Sequence, residues 1–172
     1  KLKDEAFLQQ LKSLHADVQV VVAFRMLPEA VWNMPPMGTV NVHASLLPDY
    51  RGAAPINWCL INGETYTGVT TFRLQHAIDT GPVLLQSRIP VEETDRADTL
   101  HDKLMQEGAQ LLLRTLDGLR THSLQEHPQD PEYAMHPAPK LTHETCHIDW
   151  QQPVLPVHYR IRGLAPDRKS TR

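Results

Sequence analysis

Residues 41–55 read NVHASLLPDYRGAAP, and the rest of the chain is arranged around them. The β-branched pair Thr39-Val40 predicts a strand over 39–43. In a strand, residues two apart project from one face. Asn41 and His43 therefore present an amide and an imidazole together at a strand's end, where open α/β sheets place their sites. Pro48, Gly52 and Pro55 punctuate a stiff loop with Tyr50 and Arg51 at its tip, and a helix follows from about Ala54. Loops held by a rigid scaffold carry function. Taken alone, Asn41 or His43 reads more readily as a turn former or a satisfied polar group than as a catalyst. A second stretch, around Asp79, lifts the pair above that.

Working outward, 4–15 reads as a helix with Asp4 as N-cap and Phe7, Leu8, Leu11 and Leu14 on its apolar face. Residues 18–24, VQVVVAF, scarcely alternate, which predicts a strand buried on both faces in a helix-covered, largely parallel sheet. A helical turn follows over 29–33 and is stopped by Pro35-Pro36. A helix over 55–62 has Pro55 near its first turn and ends at Asn62-Gly63. Strands over 67–75 and 81–91 lie close enough to form a hairpin-like pair, the second near a sheet edge because of Pro90. The longest helix covers 98–119, with Leu100, Leu104, Gly108, Leu111, Leu112 and Leu119 on one stripe and Thr94 and Asp95 as cap candidates. Residues 121–140 are polar and proline-rich and read as a semi-extended connector. A short helix over 157–164 closes the sequence pattern. The alternation predicts an α/β fold. A doubly buried early strand needs neighbours on both sides, so the expectation is that the N-terminal part of the sheet lies outside this sequence.

The chain has 172 residues, 41% apolar and 22% charged, which suits a globular domain with a real core. A net charge of -3 argues against a surface that binds nucleic acid over its whole face. The charge is uneven: residues 1–139 hold eleven Lys and Arg against seventeen Asp and Glu, and residues 140–172 hold six against three. Two distant cysteines, Cys59 and Cys146, point to no disulfide framework and to a reducing compartment. No secretory segment or apolar run of about 18 residues is present. His143, Cys146 and His147 cluster but lack a further ligand at zinc spacing, so no metal is expected. No phosphate-binding or dinucleotide fingerprint occurs.

Residues 76–82, HAIDTGP, supply the second chemical stretch. Asp79 stands in a turn that exposes a carboxylate at a strand's edge, although aspartate is also an ordinary turn residue. Asn41, His43 and Asp79 together suit acyl transfer. An amide stabilises a carbonyl oxygen as it gains charge, an imidazole moves the proton, and a carboxylate beside it favours the imidazole's charged form. No nucleophile elbow is present. Ser45, hemmed in by Pro48, reads as a loop organiser, so direct transfer fits better than a covalent intermediate.

Residues 41–56, NVHASLLPDYRGAAPI, resemble the signature of the tetrahydrofolate-dependent formyltransferases. Within that family RGAAPI at 51–56, DTG at 79–81 and PAPKLTHETCHIDW at 137–150 are similar to the methionyl-tRNA branch. The resemblance runs from about residue 10 to Pro166. It implies a partial Rossmann-like formyltransferase domain, a mostly parallel sheet flanked by helices, then a linker and the start of a C-terminal domain. The corresponding boundaries are 1–126 for the catalytic domain, 127–147 for the linker and 148–172 for the beginning of a tRNA-contacting domain. It implies Asn41, His43 and Asp79 as catalytic residues. Ser45, Leu46, Leu47 and Pro48 match the folate-contacting loop, and Arg25, Met26 and Leu27 fall in the strand end whose backbone grips the pterin. The implied donor is 10-formyltetrahydrofolate, the implied acceptor the α-amino group of methionine on initiator tRNA, with no metal and no membrane, in a cytoplasmic monomer.

Departures from the family pattern shape further expectations. The family's opening strand with its glycine turn, the basic loop after it and most of the C-terminal barrel have no counterpart here. Arg25 stands where the family often has glycine, and residues 167–172 break the family's proline-aromatic continuation. The chain is therefore expected to carry the trio yet be weakly active or inactive alone. Two alternatives stay open. The pattern NW-x-x-x-NGE at 57–64 is shared with a sibling that formylates a nucleotide-linked amino sugar. A formylfolate hydrolase or a non-catalytic folate-binding module is the third reading.

Overall fold

A computed structural model of the chain describes residues 1–23 and 26–166. The order of elements is α1 (Glu5–Lys12), β1 (Gln19–Val22), α2 (Glu29–Trp32), β2 (Thr39–His43), α3 (Pro55–Ile61), β3 (Tyr66–Arg73), β4 (Val83–Pro90), α4 (Ala97–Arg120) and α5 (Val154–Leu164). A single 3₁₀ turn, Pro131–Tyr133, interrupts the stretch between α4 and α5. The four strands form one sheet in the order β1-β2-β3-β4.

The α/β class and the helix-flanked sheet match the expectation, but the sense of the strands differs from it. Only β1 and β2 are parallel, with Val21 opposite Asn41. β3 runs antiparallel to β2, with His43 opposite Thr70, and β4 runs antiparallel to β3. The reason lies in the connections. A parallel return needs a crossover that carries the chain back along the strand's full length. The segment between β2 and β3 holds one seven-residue helix, about 10 Å long at 1.5 Å per residue. It leaves and re-enters the sheet at the same end. The link from β3 to β4 is the expected hairpin-like one.

β1 is not buried on both faces. It has one neighbour among the described residues, and Val22 is 60% exposed. The strand is half-buried over Gln19–Val21 and exposed at Val22, with no residue fully buried. The same holds for α1. Asp4 caps it as expected, accepting from the Ala6 and Phe7 backbone N–H groups, but none of its residues is buried.

The core forms where α4 crosses the sheet. Leu60, Val69, Leu100, Leu104 and Leu111 make one buried cluster. Thr115 Oγ1, fully buried, lies 2.8 Å from Thr71 Oγ1 and also donates to the Leu111 carbonyl, so the polar pair is satisfied. Neither Thr94 nor Asp95 caps α4. Its N-cap is Arg96, whose backbone N–H donates to Thr99 Oγ1 at 2.9 Å. Asp95 instead closes the preceding turn by accepting from the Glu92 N–H, and it pairs with Lys103 at 2.9 Å.

α5 begins at Val154, three residues earlier than expected. Pro156 falls in the first turn, where a missing N–H costs nothing. It packs on α3: Asn57 Nδ2 donates to the Gly163 carbonyl at 2.7 Å. Arg162, buried, donates to the carbonyls of Asp95 and Glu92 ahead of α4. The proline-rich connector is pinned at both ends. His127 pairs with Val83 through two backbone hydrogen bonds, and Ala138 pairs with Gly52 and Ala54.

Candidate active site

Asn41 and His43 lie on β2 at its C-terminal end, 5% and 7% exposed. Strand alternation puts them side by side, with Phe72 opposite Asn41 and Thr70 opposite His43. The Phe72 ring stands edge-on to the imidazole at 6.4 Å. Asn41 Oδ1 is buried and has no hydrogen-bond partner among the described residues. A buried polar atom left unpaired costs about 1–3 kcal/mol, and an amide oxygen only accepts, so Oδ1 is open to a donor that arrives.

The loop after β2 is built to aim one carbonyl at His43. Thr70 Oγ1 donates to the Ser45 carbonyl and accepts from the Leu47 N–H, while Gln86 Nε2 donates to both Thr70 Oγ1 and the Leu47 carbonyl. Ser45 Oγ donates to the Asp49 carbonyl at 2.7 Å, which makes it the loop organiser that its position suggested. Tyr50, at φ 59°, then turns its carbonyl onto His43 Nε2 at 2.9 Å. A carbonyl only accepts, so Nε2 carries the proton and Nδ1 is the nitrogen left for chemistry.

Nδ1 faces Asp79 Oδ2 at 3.7 Å. That is too long for a hydrogen bond and becomes an ion pair only when the ring is protonated, and apo sites often tighten when substrate enters. Asp79 sits at φ 53°, a region aspartate tolerates better than most residues. Its Oδ2 also accepts from the Gly52 N–H at 3.0 Å. Gly52 is required on two counts: φ is 127°, and a Cβ there would collide with the Ala138 carbonyl. The structure thus brings together Asn41, His43 and Asp79, from two segments separated by more than thirty positions of sequence.

The candidate donor contacts are more scattered. Ser45 and Leu47 are buried, with the Ser45 hydroxyl already committed, while Leu46 and Pro48 are half-buried. Met26 is 74% exposed and Leu27 half-buried. Arg25 lies outside the described residues. No group of three His, Cys, Asp or Glu side chains among the described residues is placed to hold a metal. Two clefts, of about 250 and 430 Å³, lie away from the trio, one along Arg73 and Leu119, the other between Trp58, Asp149 and Arg160.

Three contributors carry no sequence signal of their own. The Tyr50 carbonyl acts through backbone geometry alone. His136 stacks on the Tyr50 ring at 5.2 Å and places Nδ1 3.0 Å from Asp49 Oδ2, while its carbonyl accepts from the Tyr50 N–H. Gln129 hydrogen-bonds both segments of the site. The last two stand in the proline-rich stretch, where no periodicity points to a face. The only cue there is polar side chains set between prolines, which stiffen the chain that presents them.

A sequence profile described as formyl transferase matches residues 1–116. The methionyl-tRNA formyltransferase of Parabacteroides distasonis is 56% identical over 170 residues, covering 96% of this chain and 52% of that protein. That of Flavobacterium johnsoniae is 50% identical over 165 residues, with the same two coverages. The chain spans about half the length of these curated relatives. Among solved structures, HypX from Aquifex aeolicus in complex with tetrahydrofolic acid superposes with a TM-score of 0.78 at 20% identity, over 94% of this chain and 28% of that one. A sugar N-formyltransferase from a Shewanella species gives 0.77 at 20% identity, over 95% and 66%. At such identities the likeness is one of fold.

Proposed function

The chain belongs to the formyl transferase family, and from that premise we propose that it carries the catalytic trio of a methionyl-tRNA formyltransferase. The reaction moves the formyl group of 10-formyltetrahydrofolate to the α-amino group of methionine on initiator tRNA, for the start of translation. One observation carries the reading: the amide side chain of Asn41 stands beside an imidazole whose free nitrogen faces a carboxylate. The names of the relatives at 50–56% identity supply the acceptor.

Each residue has a separable task. The formyl donor supplies an activated one-carbon carbonyl. Asn41 hydrogen-bonds that carbonyl as its oxygen gains charge, an interaction worth about 10²–10³ in rate at comparable sites. His43 keeps Nε2–H on the Tyr50 carbonyl, so its ring cannot turn, and exchanges protons through Nδ1. Asp79, held by the Gly52 N–H, stabilises the positive charge that develops on the ring and takes up the proton of the attacking amine directly or through water, while the imidazolium gives a proton from Nδ1 to the donor's nitrogen as its bond to the formyl carbon breaks. The amine must attack in its neutral form. In this reading the backbone of 45–48 and of the segment around Met26 and Leu27 borders the donor. Residues 1–126 form the catalytic domain, 127–147 are the linker, and 148–172 begin an acceptor-contacting domain. The protein works in the cytoplasm as a monomer.

The test is formyl transfer by the intact protein and its variants, followed by acid-stable label on Met-tRNA. Asn41→Ala and His43→Ala are each expected to lower kcat by about 10²–10⁴ with folding retained, and Asp79→Ala to lower it comparably. Transfer at the parent rate in any of the three would refute the assignment. Formylation of an amino-sugar nucleotide but not of Met-tRNA would select the sibling activity, and formate release without an acceptor would select a hydrolase.

A further inference from the structure

Asp79 is held by more than its carboxylate. The turn that carries it is largely exposed, with Ile78 61% exposed, so packing does little to fix it. Gln129 fixes it instead. Its Nε2 donates to the Asp79 carbonyl at 2.9 Å and to the Gly81 carbonyl at 2.7 Å. Its Oε1 accepts from Arg51 Nε at 3.0 Å and Nη2 at 2.7 Å. The residue after Arg51 is Gly52, whose N–H donates to Asp79 Oδ2. The hydrogen bonds close a ring: Asp79 backbone, Gln129 amide, Arg51 guanidinium, Gly52 N–H, Asp79 carboxylate. Every donor and acceptor of the Gln129 side chain serves that ring. Gln129 is itself anchored, two residues after the His127–Val83 pairing and ahead of the Ala138–Arg51 backbone bond at 2.8 Å.

We propose that Gln129 is a positioning residue for Asp79, its amide joining the two segments that carry the catalytic trio and setting the carboxylate against the imidazole of His43. The inference rests on the reading of Asn41, His43 and Asp79 as the catalytic set. The side chain touches no reacting atom and acts through the Asp79 turn. Its geometry demands an amide. Glutamate keeps the acceptor for Arg51 but turns a second oxygen onto two carbonyls. Methionine keeps the volume and loses all four bonds.

The experiment is a double-mutant cycle in the intact protein, measuring kcat and both KM values for formyl transfer to Met-tRNA. A displacement of about 1 Å in a catalytic group costs about 100-fold. Gln129→Met is accordingly expected to lower kcat by about 10–100-fold, with KM for the formyl donor changed by less than about 3-fold. In an Asp79→Ala background the same substitution should lower kcat by less than about 3-fold further, because the group it positions is gone. An unchanged kcat overturns the proposal. So does an equal loss in both backgrounds, which is the signature of general structural damage. Should Gln129→Met fail to fold, the isosteric Gln129→Glu enters the same cycle under the same criteria. Full activity in Asp79→Ala alone sinks the underlying site reading and the proposal together. A strong Asp79→Ala effect with none from Gln129 removes the proposal and leaves the site reading standing.

Discussion

Tyr50 serves the site with its backbone and the fold with its side chain. The carbonyl orients His43, while the phenol donates to Glu64 Oε1 at 2.7 Å and accepts from Asn62. Burial, and then the bond to Glu64, push the phenol above its ordinary value, so it stays a neutral donor. Cys59, on α3 with 1% exposure, is a simpler case. Burial pushes its thiol up to about 12. In the unfolded chain the same thiol ionises near 8.5. The folded state therefore holds the proton that the unfolded state releases, and stability must fall as pH rises from that lower value toward 12. The slope is bounded at about 1.4 kcal/mol per pH unit for one proton. Urea denaturation between pH 7.5 and pH 9.5, about one unit either side of the unfolded thiol, should show stability declining, and Cys59→Ala should flatten that decline. Tyr50, whose phenol ionises at about 10 in the unfolded chain and is raised by burial in the folded one, adds a smaller decline of the same sign at the top of the window. A variant whose pH profile parallels that of the parent would show the thiol to be uninvolved.

Among the elements, what could be read was what local pattern controls. β2, α3 and α4 have a strong apolar period or a clear proline start, and each falls within a residue or two of its expected bounds. Asn41 and His43 were legible because strand alternation alone makes them neighbours, and Asp79 because its turn residues mark it. The antiparallel sense of β3 and β4 was legible from their close spacing, but that of β2 and β3 was not, because it depends on where a connection comes back, and seven helical residues do not announce that. β1 is less covered than its apolar run implies because one neighbour strand stands beside it among the described residues, and the expectation already placed the other outside this sequence. Gln129 and His136 were missed because the proline-rich stretch reads as a spacer, whereas its backbone is tied to β4 at His127 and to the site loop at His136 and Ala138. The α3–α5 contact shows how close approach can reverse a propensity. Gly163→Ala in an ordinary helix gains about 1 kcal/mol. Here the new Cβ would lie 2.6 Å from Ile61 Cγ1 and 2.8 Å from the Asn57 carbonyl, one of them backbone that cannot swing aside. The substitution should destabilise by about 1–3 kcal/mol, as overpacking does, and should expose the chain ahead of α5 to limited proteolysis. A rise in Tm would show that the two helices are less tightly seated.

Over the molecule as a whole, charge divides the chain into an acidic body that holds the site and a basic end. Residues 1–139 are strongly acidic on balance and residues 140–172 basic. Part of that basic excess is not free to attract anything. Arg162 is buried with its guanidinium on two carbonyls, and Arg160 donates to the Thr145 carbonyl. An acidic stretch repels a polyanion at long range, so under the proposed function an RNA acceptor would meet this part of the protein through a few local cations. Such binding carries a signature. Each phosphate neutralised steepens the fall of log K with log salt by about 0.7–0.9, so two or three contacts predict a loss of roughly 10-fold or more between 50 and 200 mM salt. The formyl donor of the proposed reaction would meet an amide, an imidazole, a single carboxylate and backbone, and should show far less. In the intact protein kcat/KM for Met-tRNA is thus expected to drop steeply over that range while KM for the donor moves by less than about 2-fold, a change within screening of exposed charges. A flat salt profile for the tRNA would break the link between the trio and a polyanionic acceptor. It would shift the case toward a small amine carried on a nucleotide, because the geometry around Asn41, His43 and Asp79 serves either amine equally well and only the acceptor's bulk charge tells them apart.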